Sequence, residues 1–204
     1  MKDLRRKLKK KLHQRPVPEA CRGDYDLNPD WAPHTQAAAV LTPAAVLVPL
    51  IERAHGVTML LTQRTHEMPT HAGQISFPGG RVQADDKTQI DTALREAEEE
   101  VGISPGDVTI AGYLDFYETR TRYRILPVVG IVSPDVTLKI DPREVDHVFE
   151  APLSFLMDPA HHQKKSAEWQ GALRHYYAMP YRQHHIWGAT AGMIMSLYER
   201  LYAS

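Results

Sequence analysis

Phe77-Pro-Gly-Gly-Arg-Val-Gln-Ala-Asp-Asp-Lys-Thr-Gln-Ile-Asp-Thr-Ala-Leu-Arg-Glu-Ala-Glu-Glu-Glu-Val-Gly-Ile103 joins a strand end and a double-glycine turn to a helix dense in carboxylates. Thr88 with Asp91 three positions later has the spacing of a capping box, and Gly102 followed by Pro105 supplies the stop. A helix of about four turns is therefore expected between them. At about 100° per residue, Ile90, Ala93, Leu94, Ala97 and Val101 share one arc, which predicts the buried face. Glu96, Glu99 and Glu100 share a different arc, and Glu98 points away from them. Arg95 stands at the edge of the acidic arc, one turn after Asp91, where an i,i+4 ion pair is expected.

Carboxylates at i, i+3 and i+4 repel one another, more strongly when shielded from water. A hard divalent cation would relieve that repulsion, because Mg²⁺ takes oxygen ligands and uses one or two carboxylates together with substrate phosphates. Glycines above the helix allow backbone groups to come close to a metal or a phosphate. A solvated acidic face is the alternative reading of the same spacing.

The sequence on either side of this stretch alternates strands with helices. Ala44 to Glu52 and Gly56 to Arg64 are apolar, β-branched runs around a short polar turn, which predicts a hairpin. Gly73 to Phe77 is expected to be short and extended. Further strands are predicted at Val108 to Phe116 and Ile125 to Val132, with a polar link, Tyr117 to Arg124, between them. Glu144 to Glu150 reads as a strand or turn and Pro152 to Met157 as a short helix. Leu173 to Tyr181 with His185 to Trp187 suggests a closing hairpin, and Ala189 to Tyr202 a last amphipathic helix. This interspersion predicts an α/β fold, a layered sandwich with a mixed β-sheet between helices.

Ahead of the sheet, residues 1–15 hold eight basic side chains against Asp3 alone, with Leu4, Leu8 and Leu12 at helical spacing. A basic amphipathic helix is expected there, ended by Pro16 and Pro18. It would lay its leucine stripe on the domain, contact an anionic partner or act as a targeting segment. We divide the chain into this helix and linker, residues 1–20, and a single domain, residues 21–204. Cys21 to Pro43, rich in proline, reads as a wrapping segment.

The 204 residues are 43% hydrophobic and 24% charged, enough for one sizeable core. With 24 basic and 25 acidic side chains, no global field favours nucleic acid or an anionic membrane. Cys21 is the only cysteine, which excludes an internal disulfide and a cysteine-rich zinc site. No run approaches the roughly 18 apolar residues of a membrane span, and the N-terminus lacks the apolar core of a secretory signal. A cytoplasmic protein is expected.

From Gly80 onward the sequence resembles the Nudix box, G-x5-E-x7-R-E-U-x-E-E-x-G-U, where U is aliphatic. Arg95-Glu96-Ala97-Glu98-Glu99-Glu100-Val101-Gly102-Ile103 matches its second half. In the first half Asp86 replaces Glu, with one extra residue before Arg95. Leu60-Leu61-Thr62-Gln63-Arg64-Thr65, then His71-Ala72-Gly73-Gln74-Ile75-Ser76-Phe77-Pro78-Gly79-Gly80, is similar to the signature of Nudix enzymes that cleave coenzyme A. His185 to Ala191 is similar to that subfamily as well, although its usual basic residue near Pro69 is missing.

The resemblance implies a Nudix-type α/β/α sandwich and a pyrophosphohydrolase using Mg²⁺ or Mn²⁺. Its products from coenzyme A would be phosphopantetheine and adenosine 3',5'-bisphosphate. Carried over residue by residue, Glu96, Glu99 and Glu100 would be metal ligands, with the Gly80 carbonyl as a further one, and Arg95 would orient the carboxylates. The general base would be a box glutamate such as Glu99 or one from a later loop, Glu118, Glu144 or Glu150, of which Glu144 is favoured for its place at a loop end. Arg64, His71, Gln74 and Arg81 would recognise substrate phosphates, ahead of Arg120, Arg122 and Arg124. Related domains often dimerise, so a homodimer is an option. Competing readings are a Nudix hydrolase for ADP-ribose or a dinucleoside polyphosphate, and a module that binds a nucleotide without cleaving it.

Overall fold

A computed structural model describes residues 2–31, 41–67, 71–169 and 171–203. Pro69 and part of the wrapping segment lie outside the described residues.

The long strand β2 (Thr42–Arg53) is central to the sheet. It turns into β3 (Gly56–Arg64), antiparallel to it, and pairs in parallel with β8 (Tyr123–Val132) along its other edge. Short strands complete the sheet: β1 (Cys21–Gly23), β4 (Ile75–Ser76), β5 (Gly79–Arg81), β6 (Val108–Tyr113), β7 (Phe116–Glu118) and β9 (Val145–Pro152). The described residues thus form a nine-stranded mixed sheet with the main order β1-β7-β8-β2-β3-β4. β5 pairs with β2, β6 with β8 and β9 with β3.

Period-2 alternation in β2 divides the core between the two faces of the sheet. Ala45, Leu47 and Ile51 pack with Ala93, Ala97 and Val101 of α2 (Gln89–Val101). Val46, Val48 and Leu50 face the other way, onto α4 (Gly188–Tyr202) and onto Leu8 and Leu12 from α1 (Lys2–Lys11) and its end. Helices therefore cover both faces, as the sequence predicts for an α/β sandwich. Leu8 and Leu12 are buried in the same cluster as α4, so α1 is stapled onto the core by its leucine stripe.

Two expectations are refined. The strand expected over Val108 to Phe116 divides into β6 and β7, because Asp115 between them is drawn aside to His13 and Arg200. The closing hairpin becomes a separate three-stranded sheet, β10 (Gln163–Trp169), β11 (Ala172–Tyr181) and β12 (His184–Trp187), all antiparallel. A short helix α3 (Leu153–Leu156) links β9 to it.

Candidate active site

The double-glycine turn and α2 are held together before any side-chain chemistry is considered. Thr88 and Asp91 form the capping box in both directions, and Gly102 closes the helix at φ 75°, a conformation glycine adopts without Cβ strain. Asp91 is thereby occupied at the cap, and its Oδ2 accepts from the Thr88 N–H at 2.9 Å. The expected Arg95–Asp91 pair is therefore replaced by another. Arg95 Nε and Nη2 donate to the two oxygens of Asp86, both at 2.9 Å.

Asp86 also accepts from Thr92 Oγ1 and the Gln83 N–H, each at 2.8 Å. Its side chain is 4% exposed, and the Arg95 fork, helped by these donors, holds its carboxyl below the usual carboxylate range. Arg95 is thus anchored from behind. Its remaining Nη1 donates to Glu96 Oε1 at 2.8 Å and Glu99 Oε2 at 2.9 Å, so two box carboxylates converge on one nitrogen.

The acidic arc is graded in burial rather than uniformly solvated. Glu99 is 56% exposed at its side chain, Glu96 13% and Glu100 only 3%. Glu100 accepts from the Gly79 N–H at 3.3 Å and from Arg64 Nη1 at 3.4 Å. These long contacts leave desolvation dominant, and with repulsion from Glu96 and Glu144 its carboxyl is pushed up to about 8. Burial also raises Glu96, partly countered by Arg95.

Gly80 faces Glu96 so closely that a Cβ there would lie 2.5 Å from the carboxylate carbon. The turn therefore spans both inner acids, Gly79 over Glu100 and Gly80 over Glu96. A side chain at position 80 would displace the Glu96 carboxylate, which occupies the space of the missing Cβ.

The candidate residues divide by location. Glu144, 46% exposed, has Oε2 4.0 Å from Arg64 Nη2, and its charge acts on both Glu96 and Glu100. Arg64 reaches inward between Glu100 and Glu144, and its Nε is buried without a hydrogen-bond partner. Glu150 lies about 20 Å along β9 from Glu144 at strand spacing and is taken by Arg53 and Thr58. Glu118 is 3.7 Å from Arg124 on the β7–β8 pair.

His71, at φ 58°, and Gln74 form a small clasp in the loop before β4, Nδ1 to Oε1 at 2.9 Å. Arg81 is hooked onto the Tyr123 hydroxyl through Nε at 2.9 Å, which links β5 to the start of β8. The sequence motifs point neither to Tyr123 nor to the anchoring role of Asp86. Thr92, one turn before Glu96 and aimed at Asp86, is the local signal for the latter. A cavity of about 160 Å³ lined by Asp24, Tyr117 and Gly192 contains none of these residues.

An all-oxygen donor set suits a hard divalent cation, and the under-partnered Glu100 is short of positive charge. Among the described residues no three metal-binding side chains are already gathered as a cluster. Arg95 Nη1 stands where Glu96 and Glu99 converge.

Residues 41–177 match the family model of the NUDIX domain. An Escherichia coli K12 protein described as the Nudix hydrolase NudL is 40% identical over 154 residues, covering 76% of this chain and 80% of its own. The chain belongs to the Nudix family, and it is a hydrolase acting on pyrophosphate bonds. Such hydrolases generally use divalent metal ions.

The NUDIX domain of Shewanella oneidensis NrtR, solved with ADP ribose, matches at TM-score 0.51 and 18% identity over 87% of this chain and 97% of its own. A Deinococcus radiodurans protein matches at 0.50 and 13%, over 81% and 87%. At these identities the likeness extends to the fold alone.

Proposed function

We propose that the protein cleaves the diphosphate of coenzyme A or its acyl derivatives, with Mg²⁺ or Mn²⁺, to phosphopantetheine and adenosine 3',5'-bisphosphate. The observation that carries the reaction is the pairing of a buried, under-neutralised Glu100 with Glu96 directly beneath the Gly79–Gly80 turn. The substrate reading rests on the Leu60–Thr65 and His71–Gly80 signature, whose loop stands beside the same turn.

Glu96, Glu99 and Glu100 would hold the cation, with the Gly80 carbonyl as a further ligand. When bound, a divalent cation screens the diphosphate charge and acidifies water. Arg95, fixed by Asp86, presents Glu96 and Glu99 in one direction. Glu144 takes the proton of the attacking water as one P–O bond forms and the bridging P–O bond breaks. Its half-exposed position suits a general base, which must meet both solvent and substrate. Arg64, His71, Gln74 and Arg81 recognise the phosphate oxygens, arginine through its two-pronged fork.

The test is a substrate panel of coenzyme A, ADP-ribose and nucleoside triphosphates with Mg²⁺, read by product identity. Coenzyme A should give the two named products with the highest kcat/KM. Faster turnover of ADP-ribose would overturn the substrate assignment, and nucleotide binding without cleavage would overturn the reaction.

A further inference from the structure

Helix α1 carries charge that the hydrolytic site does not use. Lys2, Arg5, Arg6, Lys9, Lys10 and Lys11 are all exposed on a helix about 15 Å long. The acid on that helix is Asp3, which pairs with Arg6 at 3.0 Å. Like charges three and four positions apart destabilise a helix, so the cationic face costs the fold stability. The leucine stripe keeps it in place, with Leu8 fully buried and Leu12 nearly so.

Next to this face lies an aromatic side chain. Tyr202, at the end of α4, is 46% exposed, and the Lys7 ammonium sits 3.4 Å from its ring centroid. An amphipathic ring beside a row of cations is the composition of a surface that meets lipid headgroups.

We propose that the exposed face of α1, flanked by Tyr202, docks onto an anionic lipid bilayer. Charge distribution favours a planar partner over a nucleic acid. Residues 1–15 hold eight basic and one acidic side chain, which leaves 16 basic and 24 acidic for the rest. A polyanion that wraps the body meets net negative charge, whereas a plane can touch the helix face alone. Because the leucines are committed to the core, the contact is electrostatic and reversible, without insertion. Among the described residues no helix is long and apolar enough to cross a membrane.

The test is co-sedimentation of the full chain with vesicles of phosphatidylcholine and phosphatidylglycerol at 3:1, against phosphatidylcholine alone. Binding to the anionic vesicles alone is expected, with loss at high salt. The double variant Lys9→Glu/Lys10→Glu should bind more weakly by roughly tenfold or more. An unchanged thermal melt of the variant would show that its fold is intact; if it melts early, Lys10→Gln alone should still weaken binding. The proposal is overturned by absence from the anionic pellet at low salt, by equal binding to neutral vesicles, or by indifference to the charge changes. Tighter binding to an RNA oligonucleotide than to the vesicles would also overturn it.

Discussion

Glu100 on α2 and Glu150 on β9 are both acids that face an arginine of the sheet, and their surroundings are opposite. Glu150 accepts from Arg53 Nη2 at 2.6 Å and Nε at 3.0 Å, and from Thr58 Oγ1 at 2.5 Å. Burial alone would raise its carboxyl, yet these partners outweigh burial and the net shift is downward. Glu100 is more deeply buried, with contacts of 3.3 and 3.4 Å, and its shift is upward. An acid that serves the fold has its partners supplied, whereas Glu100, which we propose to hold a cation, has only two long contacts.

Substituting the acids should widen this contrast most visibly in turnover. Glu99→Gln or Glu100→Gln is expected to lower kcat by about a hundredfold or more with the fold intact by circular dichroism. Wild-type turnover in both variants would remove the metal assignment. Asp86→Asn leaves the three box glutamates untouched but frees Arg95, and kcat should fall by roughly ten- to a hundredfold.

Two stability measurements follow. Glu100 is raised from 4.5 to about 8, so its contribution is fully present below 4.5 and lost as pH rises toward about 8. In chelator, wild-type protein should lose a few kcal/mol of stability across that window relative to Glu100→Gln, read by thermal melts, and the divalent ion should restore it most at the alkaline end. Glu150→Ala should behave differently, costing about 1–3 kcal/mol at pH 7 with kcat/KM unchanged.

Much of the fold could be read locally. The Thr88/Asp91 cap, Gly102 and the β2–β3 hairpin each depend on residues close in sequence. The rest depends on partners the sequence holds far apart. Asp115 ends β6 because His13 and Arg200 draw it aside, 102 and 85 positions away. β10 has no alternation to detect, since Gln163 to Glu168 are all exposed and the strand exists through its pairing with β11. In the site, helical angles separated Glu96, Glu99 and Glu100 from Glu98, but not their burial, which β5 and Arg64 impose from other elements. Asp86 was hidden by its position in a loop, where no periodicity points to Arg95.

Titration calorimetry of Mg²⁺ binding at pH 7, repeated in buffers of different ionisation enthalpy, tests the role of Glu100 most directly. Wild-type protein should bind the ion with release of a proton, and Glu100→Gln should lose both the affinity and the proton. Equal affinity and equal proton release in the two proteins would contradict it.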